Sequence, residues 1–220
     1  MSKFIVLEGT DGSGKATQLG LICRKLDALG LRYTRLAFPR YDNPSSSLIK
    51  QYLGGEFGAT PDAVNPYAAS TFFSVDRYAS FKSDWESAYR AGEIIVADRY
   101  TTSNAVHQAS KLDGEERERY LDWLFEFEYD LMGLPAPDRV VFLDMPPEAS
   151  FRLIRSRQGD AGDIHEKDHD YLARCRRNAL YVCEKYGWSR VSCVRGDEIR
   201  TPEEIGIEVW SLIKGVLGVE

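Results

Sequence analysis

Lys3-Phe-Ile-Val-Leu-Glu-Gly-Thr-Asp-Gly-Ser-Gly-Lys-Ala-Thr-Gln18 is the stretch that decides the fold. An apolar run, Phe4 to Leu7, stops at Glu8. Gly9 opens a turn that closes on Gly14 and Lys15, and Leu19, Ile22, Cys23 and Leu26 then recur at helical spacing. Strand, glycine loop and helix in that order make the P-loop pattern G-x-x-x-x-G-K. Glycines let the backbone curl until successive N–H groups face one anion. The helix N-terminus behind them adds partial positive charge. Gly9, Gly12, Ser13 and Gly14 form the cradle, and Lys15 is placed to reach β- and γ-phosphates. The same spacing fits a turn whose glycines only bend the chain. The strand before it and the helix after it, at the head of an alternating pattern, favour phosphate binding. The hydroxyl residue that usually follows the lysine is absent: Ala16 stands there, with Thr17 one place on.

Outward from this stretch, the chain alternates strands with helices. Strands are expected over 32–38, 93–100, 139–144 and 189–194. Helices are expected over 48–53, 66–90, 102–110, 115–130, 148–155, 168–186 and 202–216. Asn65-Pro66 and Thr201-Pro202 are clean helix starts, each with an N-cap side chain followed by proline. Residues 158–163 hold two glycines and two aspartates and read as a loop. The pattern predicts an α/β fold, a five-stranded parallel sheet with helices on both faces. Ligands in such sheets sit at the carboxyl ends of the strands. The residues placed there are Gly9 to Lys15, Pro39-Arg40, Asp98-Arg99 and Asp144.

Composition bounds the partners. With 220 residues the chain is long enough for one large domain, and a formal net charge of −6 argues against a nucleic acid polymer. Cys23, Cys175, Cys183 and Cys193 show no C-x-x-C pairing and read as buried thiols of a reducing compartment. Met1-Ser2-Lys3 runs straight into the first strand, so no signal peptide is expected, and no apolar run approaches a membrane span of about 20 residues. A cytoplasmic location is the expectation.

Three features narrow the phosphate chemistry. Asp98 ends a strand beside the P-loop strand and can hold a magnesium shell. Phe73 and Arg77 lie four apart, on one helix face: a ring to stack on a base and a guanidinium for its edge, though a Phe in such a place also serves a core. Arg152, Arg155 and Arg157 precede the 158–163 loop and could close over transferring phosphates, or simply end a solvated helix.

Glu8-Gly9-Thr10-Asp11-Gly12-Ser13-Gly14-Lys15, Phe38-Pro39-Arg40, Phe73-Ser74-x-Asp76-Arg77, Asp98-Arg99-Tyr100 and Leu134-Pro135-x-Pro137-Asp138 occur in order. Together they resemble the thymidylate kinase family, over about residues 3–212. The resemblance implies one P-loop kinase domain over 1–220, with an acceptor-binding region over about 38–110 and a lid over about 152–168. It implies transfer of a phosphoryl group from Mg-ATP to dTMP, and a homodimer. ATP phosphates fall to Gly9, Gly12, Ser13, Gly14, Lys15, Ala16 and Thr17. The acceptor falls to Phe38, Pro39, Arg40, Phe73, Arg77, Arg99, Ser103, Asn104 and Gln108, and Mg²⁺ to Asp98 and Asp11. Asp11, Lys15, Arg40, Arg99, Arg155 and Arg157 are the catalytic set. Gly12 stands where some members carry a loop arginine, which leaves that work to Arg155 or Arg157. His107 stands where many carry an aromatic residue that guards against a ribose 2′-OH.

Two rivals remain. Another deoxynucleotide or deoxynucleoside kinase of this fold would look similar; a free nucleoside needs a carboxylate base, for which Glu8 and Asp98 are candidates. His165-Glu-Lys-Asp-His169 matches the zinc-protease pattern H-E-x-x-H, with Glu166 as base and Glu184 a conceivable third ligand.

Overall fold

The computed structural model describes residues 2–158 and 169–219; of residues 152, 154–158 and 169 only the backbone is described. The lid loop, His165 and Glu166, and the side chains of Arg152, Arg155, Arg157 and His169, lie outside that description.

Five strands form one parallel sheet in the order β2-β3-β1-β4-β5. They are β1 (Lys3–Glu8), β2 (Tyr33–Ala37), β3 (Ile94–Asp98), β4 (Arg139–Asp144) and β5 (Ser189–Ser192). Phe4 to Leu7 of β1 are fully buried, as expected of a central strand covered on both faces. Alternate residues go to opposite layers. Ile5 and Leu7 pack with Leu19, Ile22 and Leu26 of α1 (Lys15–Ala28) and with Ile205, Val209 and Ile213 of α9 (Pro202–Leu217). Phe4 and Val6 pack on the other face with Phe81, Trp85, Ile95 and Tyr100. All four cysteines are buried and free. No helix among the described residues is long and apolar enough to cross a membrane.

The remaining helices are α2 (Ser47–Leu53), α3 (Pro66–Ser80), α4 (Glu86–Arg90), α5 (Thr101–His107), α6 (Gly114–Phe125), α7 (Pro147–Gln158) and α8 (His169–Tyr186). Two expected helices depart from simple α geometry. The 66–90 segment passes through a π turn at Phe81–Trp85, and the 115–130 segment ends in another at Glu126–Leu131. Both segments keep an apolar period, which is why pattern alone does not separate them from regular helix. The chain after β5 forms a small hairpin, β6 (Val194–Arg195) with β7 (Glu198–Ile199), so the fifth strand is shorter than expected.

β1 pairs with β3 at Leu7 and Asp98, which carries the end of β3 next to the phosphate loop. α9 is anchored beside that loop's helix: Gln18 Nε2 donates to the Pro202 carbonyl at 2.9 Å. Its start is a capping box, with Glu204 N donating to Thr201 Oγ1 and Thr201 N donating to Glu204 Oε2. Thr201→Ala removes one of these partners and is expected to cost about 1 kcal/mol. Urea denaturation checks this as a lower midpoint at unchanged slope.

Candidate active site

The loop after β1 curls as the glycines require. At Gly9, with φ +157°, a Cβ would meet Ser13 Oγ at 2.5 Å and the Leu143 carbonyl at 2.9 Å. Gly14 caps α1 in the left-handed region at φ +86°. Lys15 is buried and folds back over the loop, its Nζ donating to the carbonyls of Gly9 (2.9 Å) and Thr10 (3.1 Å). Burial, with Arg99 nearby, pushes the Lys15 ammonium below its ordinary value. From α7, Ser150 Oγ donates to the Asp11 carbonyl and ties the loop to that helix.

Arg99 faces this loop. Its backbone is left-handed, φ +68°, the one such non-glycine among the described residues. The turn carries the chain from β3 into α5 and sets the guanidinium over the P-loop. Nη2 donates to Asp11 Oδ1 at 2.6 Å, and Nη1 donates to Ser103 Oγ at 3.2 Å and lies 3.1 Å from His107 Nε2. Glu8 Oε1 lies 3.5 Å from Nη1. Burial pushes the Asp11 carboxyl up, but Arg99 and then Lys15 outweigh it and hold it well below the usual carboxylate range. Glu8 is fully buried and accepts from Gly9 N, Thr102 Oγ1 and Ser103 Oγ at 2.7–2.9 Å. Its carboxylate is thus engaged by protein donors and faces Arg99.

A second arginine lies beyond. Arg77, 2% exposed, donates from Nε to Glu128 Oε2 at 2.7 Å and from Nη2 to Glu128 Oε1 at 2.5 Å. Glu128 sits on the π turn after α6, fully buried. It also accepts from Ser74 Oγ (2.7 Å) and Thr101 Oγ1 (2.6 Å), while Asn104 Nδ2 lies at 3.4 Å. Burial lowers the affinity of Arg77 for its proton, but Glu128 more than offsets it and the guanidinium stays charged.

One cleft of about 500 Å³ joins these groups. Its lining includes Asp11, Gly12, Gly14, Lys15, Ala16 and Thr17 of the loop and the start of α1, Phe38 and Pro39 after β2, Phe73 and Arg77 of α3, and Asp98, Arg99, Ser103, Asn104, His107 and Gln108 from the end of β3 into α5 and just beyond it. Gln108 is buried, and neither amide atom has a partner among the described residues. An amide left so in a cleft wall has donor and acceptor capacity to offer a ligand. Asp98 Oδ1 is likewise buried without a partner and lines the cleft. That oxygen fits a hard cation or its water shell, whereas the Ala16 side chain offers no oxygen.

Two expected residues are held elsewhere. Arg40 is in ion pairs with Asp76 and with Asp84, the latter on the π turn after α3, and its side chain is not among those lining the cleft. Asp144 ends β4 as expected, but Arg176 (2.7 Å) and Arg190 (2.6 Å) occupy its carboxylate, and it does not line the cleft. It therefore locks α8 to β4 instead of serving a ligand. Pattern gives no warning, because both arginines come from distant segments. Glu128 had no sequence signal at all: it lies 51 residues from Arg77 inside a charged, aromatic helix. The zinc pattern also fails a geometric requirement. His169 opens α8 and Glu184 lies near its other end, about 22 Å away at 1.5 Å per residue, so they cannot share one ion. No group of three metal-ligating side chains occurs among the described residues.

The Asp11 carboxyl binds its proton less readily in the folded chain than in the unfolded one. Its contribution is present above the ordinary value of 3.8 and lost as pH falls below it. Wild type is expected to be more stable than Asp11→Asn at neutral pH, and the gap to close progressively below pH 3.8. Denaturant titration of both proteins across that interval checks it.

Comparison with known proteins bears on this geometry. The thymidylate kinase family model matches residues 7–195. A thymidylate kinase of Mycobacterium tuberculosis is 30% identical over 201 residues, 89% of this chain and 92% of that one. A probable thymidylate kinase of Pyrobaculum aerophilum is 28% identical over 217 residues, 97% of each chain. Among solved structures, thymidylate kinase from Candida albicans superposes with a TM-score of 0.71 at 21% identity, over 100% of this chain and 94% of that one, a likeness of fold. By the extent of these matches, the chain belongs to the thymidylate kinase family.

Proposed function

We propose that the protein transfers the γ-phosphoryl group of ATP to dTMP, giving dTDP and ADP. The observation that carries this reading is the shared cleft: Lys15, Arg99, Phe73 and Arg77 all line one cavity. A P-loop alone needs one nucleotide; a second aromatic and arginine set needs another.

The chemistry requires little covalent help. The acceptor is an already anionic phosphate oxygen, so the barrier is the approach of two polyanions. P-loop amides and Lys15 take the donor phosphates. Arg99, held over the loop by Asp11, Ser103 and Glu8, offers a fixed positive charge where the two phosphate groups meet. Lys15 now bonds carbonyls of its own loop, and donor phosphates would replace them. Phe73 stacks on the base, and Asn104, Gln108 and Arg77 surround it. Mg²⁺ would be held by Asp98 and Asp11 and supplies charge neutralisation between the phosphates. Thr17, beside Ala16 in the cleft wall, serves the donor side. Arg40, through its ties to Asp76 and Asp84, orders the acceptor end from behind. Arg155 and Arg157, on the last turns of α7, complete the charge stabilisation from the lid. The exposed Tyr67, Val75 and Tyr78 of α3 share a face and support a homodimer through it. A cytoplasmic site of action accords with the four buried free thiols.

A second reading, phosphorylation of a free nucleoside, loses one of its two candidate bases in the engaged Glu8 and keeps only Asp98. An ADP-release assay with ATP against dTMP, dUMP, thymidine, CMP and GMP separates the two. Turnover is expected with dTMP, and preference for thymidine would overturn the reading. Arg155→Ala or Arg157→Ala is expected to lower kcat by about two to four decades. Near-normal turnover in both variants removes the lid from the mechanism.

A further inference from the structure

Arg77 is more constrained than a base-contacting arginine needs to be, and the constraint comes from Glu128. Two of its three guanidinium nitrogens, Nε and Nη2, go to the two oxygens of that one carboxylate. Among the described residues the third, Nη1, meets only the Tyr100 carbonyl, at 3.4 Å. Glu128 is itself held from several sides. Thr101 Oγ1 and Ser74 Oγ donate to its two oxygens, and Asn104 Nδ2 approaches one of them. A fully buried carboxylate with this many donors is held in one orientation by them. The bidentate pair is planar, so it fixes the orientation of the guanidinium as well as its charge. The π turn at Glu126–Leu131 is what carries Glu128 here, and such turns are frequent at functional sites.

We propose that Glu128 is the positioning residue for Arg77, and that by occupying Nε and Nη2 it fixes the guanidinium in the cleft wall with Nη1 the one nitrogen it does not engage, so that the lock enforces selection of a base that presents an oxo oxygen over one that presents an amino group. The inference rests on the dTMP reading and adds to it the residue that holds the base-edge arginine in place. An arginine has donors only. Locked in place, it rewards an oxo acceptor and leaves an amino group donor-to-donor, with no rotation available to relieve the mismatch. A mobile arginine could swing away and tolerate either. Discrimination of this kind is strong when a buried polar group is left unpaired by the wrong ligand. On this view the carboxylate, which need not touch the nucleotide, governs the choice.

The test compares wild type with Glu128→Gln, which keeps the volume and removes the charge, and with the milder Thr101→Val, which removes one donor to Glu128. Steady-state kinetics are run with dTMP, with dUMP as a second oxo base, and with dCMP as the amino counterpart on the same sugar phosphate. Circular dichroism monitors folding. In Glu128→Gln, KM for dTMP and dUMP is expected to rise about 10–100-fold, with a much smaller change in kcat. The dTMP-to-dCMP ratio of kcat/KM should shrink about tenfold as the arginine gains freedom. Thr101→Val should move both quantities the same way by about threefold. A folded Glu128→Gln with unchanged KM and unchanged base preference overturns the proposal. So does a fall in kcat alone, or a loss of thermal stability without a shift in preference. If Glu128→Gln does not fold, Thr101→Val decides in the same terms, and unchanged KM and preference there overturn it. Failure of wild type to phosphorylate dTMP strikes the parent reading instead, and is seen in the control before any variant is compared.

Discussion

Burying an arginine is costly unless a carboxylate and further hydrogen bonds come with it, and the site is built around meeting that condition twice. Arg77 has Glu128; Arg99 has Asp11 and Glu8. Both sets meet at the first turn of α5. Thr101 and Asn104 turn toward Glu128, and Thr102 and Ser103 toward Glu8. Successive residues of a helix point in different directions, so one turn holds two buried carboxylates, each behind a different arginine of the cleft. The protein's own hydrogen bonds hold these charges in place. A preorganised field of this kind does not have to reorganise as charge shifts in the transition state.

The sheet explains how the two halves come together. With β3 beside β1, the chain leaving Asp98 emerges next to the chain leaving Glu8. A left-handed residue at Arg99 then turns the backbone sharply into α5. A non-glycine in that region carries a conformational cost that its surroundings must offset. Here the ion pair with Asp11 and the bond to Ser103 do so. The π turns contribute in the same spirit: each interrupts a helix and presents a carboxylate, Asp84 to Arg40 and Glu128 to Arg77. Across the sheet, Asp144 spends its charge on Arg176 and Arg190, joining α8 and β5 to β4 away from the cleft.

Much of this was legible in the chain of residues. The glycine loop, the apolar strands and the Asn65-Pro66 and Thr201-Pro202 helix starts are local signals, because each depends on residues within a few positions of one another. Alternating elements implied a parallel sheet, and parallel sheets place ligands at their carboxyl ends. That rule puts Lys15, Asp98 and Arg99 together, and all three line the cleft. Phe73 and Arg77 were found by helical spacing, and both line the cleft.

What the residues alone determined is therefore local: a glycine-rich loop between strand and helix, an α/β sheet, and Lys15 and Arg99 at the ends of strands where they line one cleft. Only the tertiary structure decided which carboxylate answers which arginine. Glu128 reaches Arg77 across 51 positions and Asp11 reaches Arg99 across 88, whereas Asp144 and the guanidinium of Arg40 are drawn into other pairs. The reason is physical. Spacing along a chain reports only neighbours in one element, but a buried charge takes its partner from whatever the packing brings within about 3 Å.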